Sequence, residues 1–202
     1  MLFRSGQEDA LDQPVRDRTW RLPPLVPALP QPAEEVRARL GVAPGQRLAV
    51  VYLNPNFTHP GIAAAVEETF SRAGYHAHLV GEGYGTIGRA GWLARDTRLT
   101  DVIASADVLL SAPGMGVLAQ ARLFQTPLLA LVTEQPEQKR NLTFLDQGIP
   151  HPYEAVRVDD PATLVDRLTL GLHALEQRTA GAGPRSEEHT SELQSHSFIS
   201  YA

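Results

Sequence analysis

The stretch SAPGMGVLAQA, residues 111–121, sets Gly114 and Gly116 between an apolar run of strand length and a helical pattern that opens at Met115. Glycine lets a backbone approach a ligand closely and adopt positive φ. A helix start leaves N–H groups without partners and carries partial positive charge, so this turn can seat a phosphate. The same two glycines can equally make a tight strand-to-helix turn with no ligand, and residue types alone leave both readings open.

Other candidate stretches point less clearly to chemistry. GEGYGTIG contains G-x-G-x-x-G at Gly83, Gly85 and Gly88. That pattern should follow the first strand and open a helix, yet here it follows the second, and Gly91 interrupts what comes next. It reads as a flexible loop. Asn54, Asn56 and Thr58 follow the first strand and could reach a phosphate, although turn formation accounts for them equally well. His59, His76, His78 and His151 show no carboxylate at metal-ligand spacing and read as turn and strand residues. Lys139 is the only lysine, so no Walker lysine follows a glycine loop. No Asp-x-Asp occurs, which disfavours metal-dependent sugar transfer of that type.

The elements that would position these residues alternate. A helix is expected over 33–40, ended by Gly41, then a buried strand over 47–53 (RLAVVYL). Pro60 opens a helix with Ile62, Val66 and Phe70 on one face and Gly74 at its close. Strands follow over 76–80, 107–111 and 128–132, with helices over 100–106, 115–125 and 137–147. Asp160 and Pro161 cap a last helix striped by Leu164, Leu168, Leu172 and Leu175. Such alternation with short connections predicts an α/β fold, a doubly wound parallel sheet. Ligands of these sheets bind beyond the carboxyl ends of the strands, so the loops after Leu53, Val80, Ser111 and Val132 matter most.

As a set, Trp92, Ala106-Asp107, Ser111, Gly114, Gly116, Pro127, Glu137-Gln138 and Asn141 fall in one order and at spacings that resemble a known family. The run from Gly91 to Ile149 resembles the carboxyl-terminal, donor-binding half of GT-B glycosyltransferases that use nucleoside-diphospho-sugars. The resemblance implies a Rossmann-like domain. It implies that Trp92 lies near the nucleobase, that Gly114 and Gly116 hold the diphosphate through backbone amides with Ser111 and Met115 also in the donor site, and that Gln120 faces the ribose. It implies that Glu137 and Gln138 contact sugar hydroxyls, with Glu134 offering the same chemistry three residues earlier and Asn56 a further donor-site candidate. Each has a plainer alternative: Trp92 capping the sheet edge, the acids solvated on a first helical turn. The family's phosphate-touching histidine is Ala112 here, its ribose glutamate is Gln120, and a hydroxyl position is Val117. No cofactor or metal is implied, the sugar nucleotide being a co-substrate, and the catalytic base is expected in an amino-terminal acceptor-binding domain. A sugar-nucleotide epimerase and a non-catalytic nucleotide- or sugar-binding module are the alternatives.

The 202-residue chain is 43% hydrophobic and 20% charged, with a net charge of −5, which disfavours general nucleic-acid affinity. It has no cysteine, excluding disulfides and thiolate chemistry. No apolar run approaches the roughly 20 residues that span a bilayer. The expectation is a cytoplasmic protein, with a peripheral membrane association of the parent as the alternative. Residues 6–32 are proline-rich and read as the remnant of an interdomain linker, 33–178 as the donor-binding domain, and 179–184 as a flexible end. The ends break in composition. Written back as codons, 185–196 and 199–202 give a common short-read sequencing adapter, and 2–5 the close of its partner. The expectation is therefore that 1–5 and 185–202 are adapter-derived, and that 6–184 come from inside a longer gene.

Overall fold

The computed structural model describes residues 30–146 and 151–181. The proposed adapter-derived ends, and the strap up to residue 29, lie outside the described residues. Seven helices and six strands are described: α1 (Ala33–Arg39), β1 (Leu48–Leu53), α2 (Pro60–Arg72), β2 (His76–Gly81), α3 (Glu82–Thr86), β3 (Trp92–Leu93), α4 (Leu99–Ser105), β4 (Val108–Ser111), α5 (Met115–Leu123), β5 (Leu128–Val132), α6 (Pro136–Leu142), β6 (Tyr153–Arg157) and α7 (Leu164–Gly181). The strands form one parallel sheet in the order β3-β2-β1-β4-β5-β6. The doubly wound parallel sheet expected from the alternation is the one observed.

Two apolar layers hold it. Ala49, Val51 and Leu53 of β1 face α2 and α7, while Leu48 and Val50 face α1, α4, α5 and α6. Residues alternate sides along a strand, so a strand covered on both faces must be apolar throughout. All five residues of β5 are buried for that reason. The leucine stripe of α7 packs as its spacing predicts: Leu164, Leu168, Leu172 and Leu175 are all buried, each stabilising the fold by about 2 kcal/mol. Asp160 accepts a hydrogen bond from the Ala162 amide at 3.0 Å and caps a short 3₁₀ turn, Pro161–Thr163, that leads into this helix. Gly74 takes φ +73° as α2 ends, a conformation only glycine adopts without strain.

The structure corrects several boundaries. GEGYGTIG is no flexible loop: residues Glu82–Thr86 form α3, with Tyr84 fully buried and its hydroxyl donating to the His59 carbonyl at 2.9 Å. Three of its four glycines serve packing. A Cβ on Gly85 would stand 2.1 Å from the Ala94 nitrogen, and one on Gly81 or Gly83 would meet Trp92 or Thr58 at 2.9 Å. Helix α6 stops at Leu142 and gives way to turns through Asp146, short of the expected end at 147. Strands β3 and β6, the two sheet edges, were not foreseen. Helix α7 continues through Gly181, past the boundary expected at 178.

Candidate functional site

In this strand order the chain runs outward from β1 in both directions, so β1 and β4 lie side by side with their crossovers leaving toward opposite faces. Their carboxyl ends open the crevice where such sheets bind ligands. The strands are tied there by a side chain: Ser111, 2% exposed, donates its hydroxyl to the Tyr52 carbonyl at 2.7 Å, and the two residues pair in register. Ser111 is thus a structural hinge for the turn that follows.

That turn is built from three contacts. Ala112 and Pro113 are buried, and the Asn141 side-chain amide, itself buried on α6, donates to the Pro113 carbonyl at 2.9 Å. The Gly114 amide donates to the Ala112 carbonyl at 2.8 Å. The first helical bond of α5 runs from the Leu118 amide to the Gly114 carbonyl at 3.0 Å. The amides of Met115, Gly116 and Val117 are therefore left without an acceptor among the described residues, and Gly114 as N-cap has no side chain to supply one. Met115 and Val117 pack inward on the α4–α5–α6 core while Gly114 and Gly116 are exposed. The bare donors are those of 115–117; the Gly114 amide is already spent.

Neither glycine is demanded by the fold. Neither has positive φ, Gly114 having φ −81° and ψ 141°, and a Cβ on either would meet nothing within 4 Å. Positive φ and crowding, the two reasons a tight turn demands glycine, are both absent at these positions. With no side chain at 114 or 116, the helix start is uncovered.

The remaining candidates divide. Gln120 lies half-buried on α5, its amide oxygen accepting from the Thr100 hydroxyl of α4 at 3.3 Å. Gln138, 6% exposed, is committed to its own loop: its oxygen accepts from the Thr133 amide at 2.7 Å and its nitrogen donates to Gln135 at 3.0 Å. Glu137 is exposed and has no partner among the described residues, whereas Glu134 pairs with Arg157 of β6. Asn56 is exposed and donates its amide to the Asn54 side chain at 3.0 Å, the turn its sequence suggests.

Trp92 sits apart from this group. It is 6% exposed on edge strand β3, its ring 4.6 Å from that of Tyr84, and its indole N–H donates to Glu67 at 2.5 Å. Arg89 also grips Glu67, with both nitrogens at 2.7 and 2.8 Å. The hydrogen bond from Arg89 holds the Glu67 carboxyl below its ordinary value, helped by that from Trp92, against the opposing effect of burial. Burial pushes the Tyr84 phenol up to about 12. This is the contact set of an edge cap.

Sequence reasoning missed one pairing outright. His78 Nε2 lies 2.8 Å from Asp96 Oδ2, both side chains 11% exposed, so a histidine read as a plain strand residue does have a carboxylate partner. No local signal links them, because β2 and the loop after β3 meet only in the folded sheet. Among the described residues no group of three or more histidines and acids could hold a metal ion. No described helix is long and apolar enough to cross a membrane.

Solved glycosyltransferases share this fold. The spinosyn rhamnosyltransferase SpnG complexed with thymidine diphosphate superposes with a TM-score of 0.52 at 15% identity, over 83% of this chain and 46% of that one. Arabidopsis thaliana UGT89C1 complexed with quercetin gives 0.53 at 16% identity, over 95% and 54%. The calicheamicin glycosyltransferase CalG4 gives 0.51 at 18% identity, over 90% and 45%. The chain thus has the α/β architecture of one half of a GT-B glycosyltransferase and spans about half the length of these proteins. No protein-family model matches it, and no curated protein does.

Proposed function

We propose that this chain is the donor-binding half of a glycosyltransferase that takes a sugar from a nucleoside diphosphate to a hydroxyl acceptor. The observation that carries the reading is the β4–α5 turn: three bare amides at a helix start, kept open by two glycines the fold itself does not need. Such donors, fixed in place before the reaction, stabilise the charge that grows on a departing diphosphate as its bond to the sugar breaks. Gln120 with Thr100 offers hydroxyl-binding groups beside the turn, and Glu137 is the acid left free to accept from a sugar. Trp92 is assigned to the sheet edge and takes no part in holding the base. The fold shared with SpnG, whose complex contains thymidine diphosphate, supports a nucleoside diphosphate as the ligand class.

The acceptor site and catalytic base are assigned to the other half of the enzyme, since this chain spans about half of its structural relatives. A second reading, a nucleotide-binding module without transferase activity, draws on one observation: position 112 carries a buried alanine and so no side chain able to touch phosphate. Calorimetric titration of the 202-residue chain with UDP and TDP, beside uridine and thymidine, tests the ligand class. Saturable binding of one diphosphate, tighter than its nucleoside, is the expected result. Absence of binding by both diphosphates would overturn the proposal. Supplying an acceptor-binding half and assaying sugar transfer separates enzyme from module.

A further inference from the structure

A cavity of about 190 Å³ opens over the carboxyl ends of β1 and β2, lined in part by Tyr52, Val80, Glu82, Arg95 and Asp96. Tyr52 is the residue whose carbonyl receives the Ser111 hydroxyl, so this cavity begins one strand away from the β4–α5 turn. Neighbouring strands lie about 4.8 Å apart, so the cavity reaches from one strand away at Tyr52 to Arg95 beyond β3, three strand spacings or about 14 Å from β4, a gap bridged by a long arginine side chain and a nucleotide together.

Arg95 is exposed and makes no ion pair or hydrogen bond among the described residues. The residues on either side of it, however, are held. The Ala94 backbone packs against Gly85 of α3 closely enough that no side chain fits between them. Asp96 is latched to His78 of β2 at 2.8 Å, and its other oxygen accepts from the Arg98 amide at 2.7 Å. A cation without a partner, carried on an anchored loop beside a cavity, meets an anion without the cost of ordering the loop, only that of its own side chain. The β4–α5 turn has no cationic side chain of its own. Lys139 and Arg140, exposed on the last turn of α6 beside Asn141, are the other cations near it, and neither lines this cavity.

We propose that Arg95 supplies the side-chain cation for the phosphates of a nucleotide whose diphosphate rests on the α5 amides. This deepens the donor-binding reading and rests on it. Glu82, also exposed and unpaired, lines the same cavity and repels a bare phosphate. The ligand must therefore bring hydroxyl donors together with its charge, which a nucleotide does and inorganic pyrophosphate does not.

The test is calorimetry on the full chain with UDP, TDP, uridine, thymidine and inorganic pyrophosphate, for wild type, R95Q, R95K and R140Q. R95Q is expected to lower affinity for the preferred diphosphate about tenfold and to leave the nucleoside unchanged, the loss of one charge-assisted contact. R95K should recover part of the loss, R140Q should bind as wild type, and the melting temperature of R95Q should not move. Wild-type binding of a diphosphate with R95Q unaltered would overturn this inference and leave the donor-binding reading standing. Equal loss for nucleoside and diphosphate would overturn it too, as would pyrophosphate binding as tightly as the nucleotide. If wild type binds neither UDP nor TDP, both readings fall together.

Discussion

Individual glycines in this chain do opposite jobs. Gly85 is required by the fold, since a Cβ there would strike the Ala94 backbone, which has no freedom to yield. Gly116 is not required: its would-be Cβ points into open space, and it stands in the first turn of a helix. G85A should therefore lower the melting temperature markedly, by the equivalent of about 1–3 kcal/mol or more. G116A should hold or raise it, because alanine is favoured over glycine in a helix by about 0.5–1 kcal/mol. The same G116A should weaken nucleotide binding, since a methyl group would then crowd the bare amides. Paired thermal melts and titrations check this. A G116A variant as unstable as G85A would return Gly116 to a purely structural role.

At the scale of elements, the vulnerable piece is edge strand β3, two residues long and tied to α2 by the Glu67–Arg89–Trp92 cluster. Glu67 has its carboxyl held below its ordinary value of 4.5 by the Arg89 hydrogen bond and then by Trp92. A depressed folded-state value contributes stability that is fully present above the ordinary value and is lost as pH falls through the depressed one. Thermal melts from neutral pH down to pH 3 should show wild type losing stability below about 4.5, while E67Q, weaker at neutral pH, should show a flatter acid limb. Parallel profiles would remove Glu67 from this role. The sequence made the central elements legible for a physical reason: β1 and β5 are covered on both faces and must be apolar along their length. β3 and β6 lie at the edges, where mixed residues are tolerated and no pattern announces a strand. Helix α3 was hidden because its glycines mimic a loop, and the backbone contact that requires them, Gly85 on Ala94, joins segments no local pattern connects.

At the scale of the molecule, strand order does the work. The β4–α5 turn was readable because its strand, glycines and helix are contiguous in the chain. The partners that shape its surroundings are not contiguous: Asn141 on Pro113, Ser111 on Tyr52, His78 on Asp96. Only the parallel order of the folded sheet brings these partners together. The central claim is that the amides of Met115, Gly116 and Val117 grip a diphosphate at that end. Its most direct test is a titration of ¹⁵N-labelled full chain with UDP and TDP, following backbone amide resonances. The account expects the three amides to shift saturably with one of the two diphosphates, and to shift far less with its nucleoside. Saturable binding that leaves residues 115–117 unmoved would contradict it.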